Sequence, residues 1–155
     1  MDIQRPSVSF DEVALDIYNS KIYLAGKHTW AETQINLRDD AGGNVTKLVG
    51  QQLQKQFDFV EQASAAAGGD YKFQLSYELL DGGNGTLVPN VLETWELYGC
   101  FIKSANYNNL DYKSNEPVTI QLSVRFDNAV QSPLTSGLGT SVGRAFGSTS
   151  VTGIG

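Results

Sequence analysis

The chain has one cysteine, one histidine, one methionine and four prolines in 155 residues. A single thiol cannot close a disulfide within the chain, and one Cys with one His cannot build a Cys/His zinc site. Cys100 lies in an apolar stretch, where a buried, inert thiol is expected. Basic charge is scarce too: 11 Lys and Arg against 17 Asp and Glu give a formal net charge of -6. That argues against the usual nucleic-acid-binding surface, which needs a basic patch to displace counterions. No apolar run approaches the ~18 residues of a membrane span, and no charged-then-apolar leader opens the chain. The expectation is a protein made in a cytoplasm, with no membrane contact.

Catalytic constellations are equally thin. His28 is the one imidazole, placed in a Gly26–Trp30 turn, and nothing in the sequence pairs it with Cys100. A nucleophile needs a base and an orienting group, so an enzyme reading would rest on His28 alone. Asp39-Asp40 precede a glycine loop but lack the ligand spacing of a calcium loop. The stretch Gly137–Gly143 lacks the spacing and the lysine of a phosphate-binding loop. No metal, cofactor or enzymatic activity is expected.

What is present is β-structure. Val118, Ile120, Leu122, Val124 and Phe126 alternate with Thr119, Gln121, Ser123 and Arg125. A period of two puts the first set on a buried face. Thr94–Lys103 is a second strong strand. The polar segment Ser104–Glu116 between them, studded with Tyr107, Leu110 and Tyr112, reads as a partly structured crossing. Val8–Ile17 reads as a strand with an irregularity at Asp11-Glu12. Asn19-Ser20 is a turn, Lys21–Ala25 a strand that breaks at Gly26–His28, and Trp30–Leu37 a further strand with Thr33, Ile35 and Leu37 on one face. Tyr71–Leu79 alternates likewise, before a turn at Asp81–Gly85.

One segment changes period. Val49, Leu53, Phe57 and Val60 share a helical face, so a helix is expected over about residues 46–66, with Asn44 or Thr46 as N-cap and Gly68-Gly69 as terminator. At 155 residues one domain is the default, burying roughly 70% of its unfolded surface. The expected division is a β domain over 1–130 and a Gly/Ser/Thr-rich extension over 131–155. Two readings of that extension stand: a flexible tail, or a segment that orders against a partner through Leu138, Val142 and Phe146, spaced by fours.

The order of these elements resembles the tail-tube proteins of contractile-tailed bacteriophages, whose fold is shared with the tubes of phage-derived injection systems. Three parts carry the resemblance: Lys21–Trp30 with the strand to Leu37, the helix within Leu48–Ala66, and Trp95–Ile102 followed by Leu110–Tyr112 and the strand to Asp127. The resemblance implies a mainly β fold, a small β-barrel or rolled β-sandwich with one α-helix. It implies hexameric rings stacked into a tube, with tail sheath and baseplate or neck proteins as partners. DNA would pass through the lumen without specific binding, which suits a net charge of -6. The place would be the virion tail, assembled in the host cytoplasm. The match starts near Arg5, so either the barrel is short of a first strand or a neighbour supplies one by strand addition.

The expected subunit contacts follow from polar excursions off the strand frame: Asp39, Asp40 and Asn44 in one loop, Tyr107, Leu110 and Tyr112 in the other, and Leu138, Val142 and Phe146 in the extension. Two further readings stand beside the tube subunit. One is a specialised tube-like component at the baseplate, the neck or the tube surface. The other is a monomeric β-barrel that binds a small ligand in its mouth.

Overall fold

The structure, a computed structural model, describes residues 2–83, 85, 88–110, 116–132, 138 and 139. It is mainly β, of the small barrel or sandwich class, with one α-helix among the described residues. The chain divides into two compact units: residues 1–75 with 97–128, and residues 76–96 with 129–155.

In the first unit, β1 (Asp2–Ile3), β4 (Thr33–Arg38), β9 (Thr119–Arg125) and the inner part of β8 (Val91–Tyr107) lie side by side in that order. The β1–β4, β4–β9 and β8–β9 pairs are antiparallel. Alternation on β9 works as the sequence implies: Ile120, Leu122, Val124 and Phe126 are buried. Val118, ahead of the strand, is instead half exposed. Opposite them, β4 buries Thr33 and Ile35, with the Thr33 hydroxyl donating to the Gln4 carbonyl at 2.9 Å. Because β8 and β9 are antiparallel neighbours, with Tyr107 opposite Ile120, the segment between them is a hairpin connection and not a crossing.

On β8 the buried residues run Trp95, Leu97, Cys100, Ile102. A regular strand would send Leu97 and Cys100 to opposite faces. Gly99, at φ +66, supplies the extra residue that resets the phase, so both point inward. A second irregularity between Ile102 and Ser104 keeps Ala105 and Tyr107 on the core side, opposite Leu122 and Ile120. At this bulge the Gln56 amide takes the place of a strand: its Nε2 donates to the Ile102 carbonyl and its Oε1 accepts the Ile102 N–H, both at 2.9 Å.

That clamp stands at the end of α1 (Asn44–Gln56), which is shorter than the 46–66 helix expected. Val49 is its buried residue. Phe57 turns extended, and β5 (Phe57–Asp58) pairs with β6 (Ala63–Ser64). The Asp58 carboxylate drives the turn by accepting the N–H groups of Val60 and Glu61. Phe57 and Val60 therefore leave the helical face. A 3-10 turn, Gly68–Asp70, then leads into β7 (Phe73–Leu80).

The second unit holds the outer parts of β7 and β8 and most of β10 (Asn128–Ser132), strands that each pair with β8 or are part of it. Asp81 closes the β7–β8 connection: its carboxylate accepts the Gly83 and Asn90 N–H groups and the Asn90 side-chain amide, each at 3.0 Å. The Gly83 N–H leads the interactions that hold this carboxyl below the ordinary Asp range.

Candidate assembly interface

Among the described residues, exposed apolar side chains gather on β2 (Val8–Ile17) and β3 (Ser20–Trp30), a two-stranded antiparallel ribbon. Val13 lies opposite Leu24 and Leu15 opposite Ile22, so these side chains and Ile17 share one face. Each is between 43% and 50% exposed. The other face carries Glu12, Asp16 and Lys21, with Tyr23 among them. Contiguous exposed apolar side chains of this kind often mark an interaction surface. A two-stranded ribbon alone is marginal in water.

Local chemistry shapes the ribbon. The irregularity expected at Asp11-Glu12 is a bulge between Phe10 and Glu12. Gly26 does not break the strand, because β3 runs unbroken through it. It faces the bulge so closely that a Cβ would sit 2.9 Å from the Asp11 carbonyl oxygen. Past the bulge, His28 packs against Phe10 and Trp30, so the one imidazole is part of an aromatic row. At the far end the turn is Tyr18-Asn19, with Tyr18 at φ 47 and fully exposed. Hairpin turns ordinarily place glycine or asparagine at such angles.

A second feature lies where α1 begins. Asp39 and Asp40 cap it from a distance, since Gly43, at φ +65, has no side chain to do so. The Asp39 carboxylate accepts the Val45 N–H at 3.2 Å and the Thr46 hydroxyl. The Asp40 carboxylate accepts the Asn44 N–H at 2.9 Å and its side-chain amide at 2.7 Å. Thr46 foremost holds the Asp39 carboxyl below its ordinary range, and the Asn44 N–H does so for Asp40. Both carboxylates are committed to the helix, and Asn44 is a capped residue instead of a cap.

Beside this cap opens a cleft of about 320 Å3. Tyr107, Leu110, Val118 and Ile120 give it an apolar side. Asp39, Asp40, Thr46, Asn108 and Thr119 give it a polar one, where Asn108 donates to the Thr119 hydroxyl at 2.6 Å.

Of the residues singled out from sequence, Asp39, Asp40, Tyr107 and Leu110 thus meet around one cleft, with Asn44 hydrogen-bonded to Asp40. Leu138 lies in the other unit, half exposed, its carbonyl accepting the Gln131 N–H at 2.9 Å. Tyr112, Val142 and Phe146 lie outside the described residues. Cys100 is buried, its thiol donating to the Leu97 carbonyl at 3.3 Å and pushed up to about 11 by burial. The apolar ribbon face was not singled out from sequence. Its signal was there, in paired alternations separated by a two-residue turn, but alternation does not say whether the apolar side has a cover.

No protein-family profile matches the chain, and no curated protein does. Solved structures do. The 6-fold symmetrised baseplate of the anti-feeding prophage contains a chain that superposes with a TM-score of 0.61 at 13% identity, covering 86% of this chain and 80% of that one. The cap that terminates the tube of the same particle gives 0.60 at 16% identity, covering 86% and 82%. The sheath/tube terminator of the extracellular contractile injection system PVC gives 0.60 at 14% identity, covering 85% and 84%. The chain therefore has the fold found in tube, terminator and baseplate assemblies of contractile injection systems.

Proposed function

We propose that the chain is a ring-forming structural subunit of a contractile tail or injection apparatus, acting by assembly and conduction, not by catalysis. The observation that carries this reading is the ribbon of β2 and β3, whose apolar face is uncovered in the single chain, on a fold found in tube and baseplate assemblies. Covering that face against another copy removes apolar surface from water and satisfies a ribbon that is marginal alone. The finer reading is a hexameric ring, stacked into a tube of a phage-like particle, with sheath and baseplate or neck proteins around it. An overall charge of -6 suits a conduit through which DNA slides without adhesion. The extension 131–155 is assigned to a neighbour through Leu138, Val142 and Phe146.

Light scattering and negative-stain microscopy of the purified protein test the reading. Rings or tubes are expected from the wild type, and Leu15→Asp, on the ribbon face, is expected to shift the protein to monomers. A wild type that stays monomeric at high concentration overturns the reading. Undiminished assembly of a chain ending at residue 132 would remove the role given to the extension. A second reading is a specialised ring at one end of the tube, since baseplate, cap and terminator assemblies contain the same fold as a sheath-tube complex does. Copy number in the intact particle separates the two: one ring for the specialised component, many for the tube.

A further inference from the structure

We infer that α1 is a strap closing an edge of β8, with the Gln56 amide as its latch, and that it keeps this edge from pairing with the same edge of a second copy. The contact stands apart from the ribbon face, so it does not depend on the assembly proposed above.

Where the latch sits, the edge has no strand. β9 lies on one side of β8 and pairs with it from Phe101 to Tyr107. On the other side both backbone groups of Ile102 are taken by one side chain, that of Gln56, at 2.9 Å each. A primary amide presents a donor and an acceptor side by side, as a neighbouring strand would. β7 does not supply them, because the residues ahead of it already reach this level. Tyr71, two positions before Phe73, meets Phe101 edge to face with ring centroids 6.4 Å apart. Gln52, one turn back on the same side of α1, donates to the Tyr71 carbonyl at 2.6 Å. α1 thus takes over the edge where β7 gives out.

The strap is tied mainly by polar bonds. Val49 is the buried residue of α1, while Leu48 is 66% exposed. An element with few buried apolar contacts opens readily. Opening would leave the N–H and C=O of Ile102 unpaired, on a strand whose next residues include the exposed Lys103, Ser104, Asn106 and Tyr107. Unpaired strand edges recruit other chains, and covering the edge with a helix is one way a fold prevents it. Two copies of this edge match when antiparallel, since each offers the other a donor and an acceptor. Such a pairing is isologous, so it closes at two copies and does not extend.

Hydrogen exchange and sedimentation velocity on the full chain test this. Gln56→Met keeps the length of the side chain and loses both bonds. In this variant the Ile102 amide is expected to exchange at least tenfold faster than in the wild type, with residues 119–125 unchanged. A dimer-sized species absent from the wild type is expected to grow with concentration. Adding Asn106→Lys, which sets like charges on the two paired edges, is expected to remove that species. Gln56→Asn, whose amide falls one methylene short, repeats the test should Gln56→Met lose the wild-type thermal melt. Unchanged exchange at Ile102 overturns the latch. Faster exchange with no dimer-sized species overturns the guard against a second copy. A dimer that survives Asn106→Lys overturns the β8 edge as its contact.

Discussion

Gly99 carries more of this fold than a mid-strand glycine suggests. Its φ of +66 resets the phase of β8, and its missing side chain leaves room for the Asp127 carboxylate. Asp127 in turn pairs with Lys72 at 2.7 Å, and its N–H donates to the Tyr98 carbonyl at 2.9 Å. A methyl group at Gly99 meets both obstacles, a strained backbone and the carboxylate. Gly99→Ala is expected to lower the unfolding free energy, read from urea titrations, by more than the ~1 kcal/mol lost when Ala replaces Gly at positive φ. Adding Asp127→Ala should restore part of the loss, since it relieves the collision and not the dihedral. Two variants with the same midpoint would show that the collision contributes nothing. In the sequence, Tyr98-Gly99-Cys100 gave no sign of a bulge, because a lone glycine reads as a weak point in a strand.

At the level of elements, the ribbon and β9 are opposites. β9 is covered on both edges and buries most of its side chains, while β2 and β3 pair with each other and expose theirs. Local opening free energy follows such differences. Amides of 12–25 are therefore expected to exchange with deuterium well before those of 119–125 in the free subunit, and to slow on assembly. Equal protection of both in the free subunit would contradict an uncovered ribbon. The strands and their apolar faces were readable because a period of two survives in single sequences, as in Ile120–Phe126 and Val13–Ile17. The end of α1 was not. Val49, Leu53, Phe57 and Val60 keep a helical spacing, yet the chain turns extended at Phe57, beside the Gln56 amide that bonds Ile102, 46 positions away. Tyr107 and Leu110 were recognisable as apolar residues in a polar stretch. Their meeting with Asp39 and Asp40 depends on β4 and β8 flanking the same strand, which no local pattern announces.

For the whole molecule, acid is the revealing condition. Asp39, Asp40, Asp58 and Asp81 are all held below the ordinary value of 3.8 by hydrogen bonds to caps and turns. A carboxyl whose folded pKa is depressed adds stability above its unfolded value and loses it as pH falls through the folded one. The urea midpoint is expected to stay level from about pH 7 to about pH 5 and to fall below about pH 4. Asp39→Asn with Asp40→Asn should flatten part of that fall, and an unchanged profile would exclude these caps as its cause. The uncovered ribbon has a consequence in time. In the proposed assembly, two free subunits that meet order the ribbon for a single contact, whereas a subunit joining an existing stack meets several neighbours at once. Growth then follows a lag, fresh solution stays clear above the threshold concentration, and a trace of preformed stack abolishes the wait.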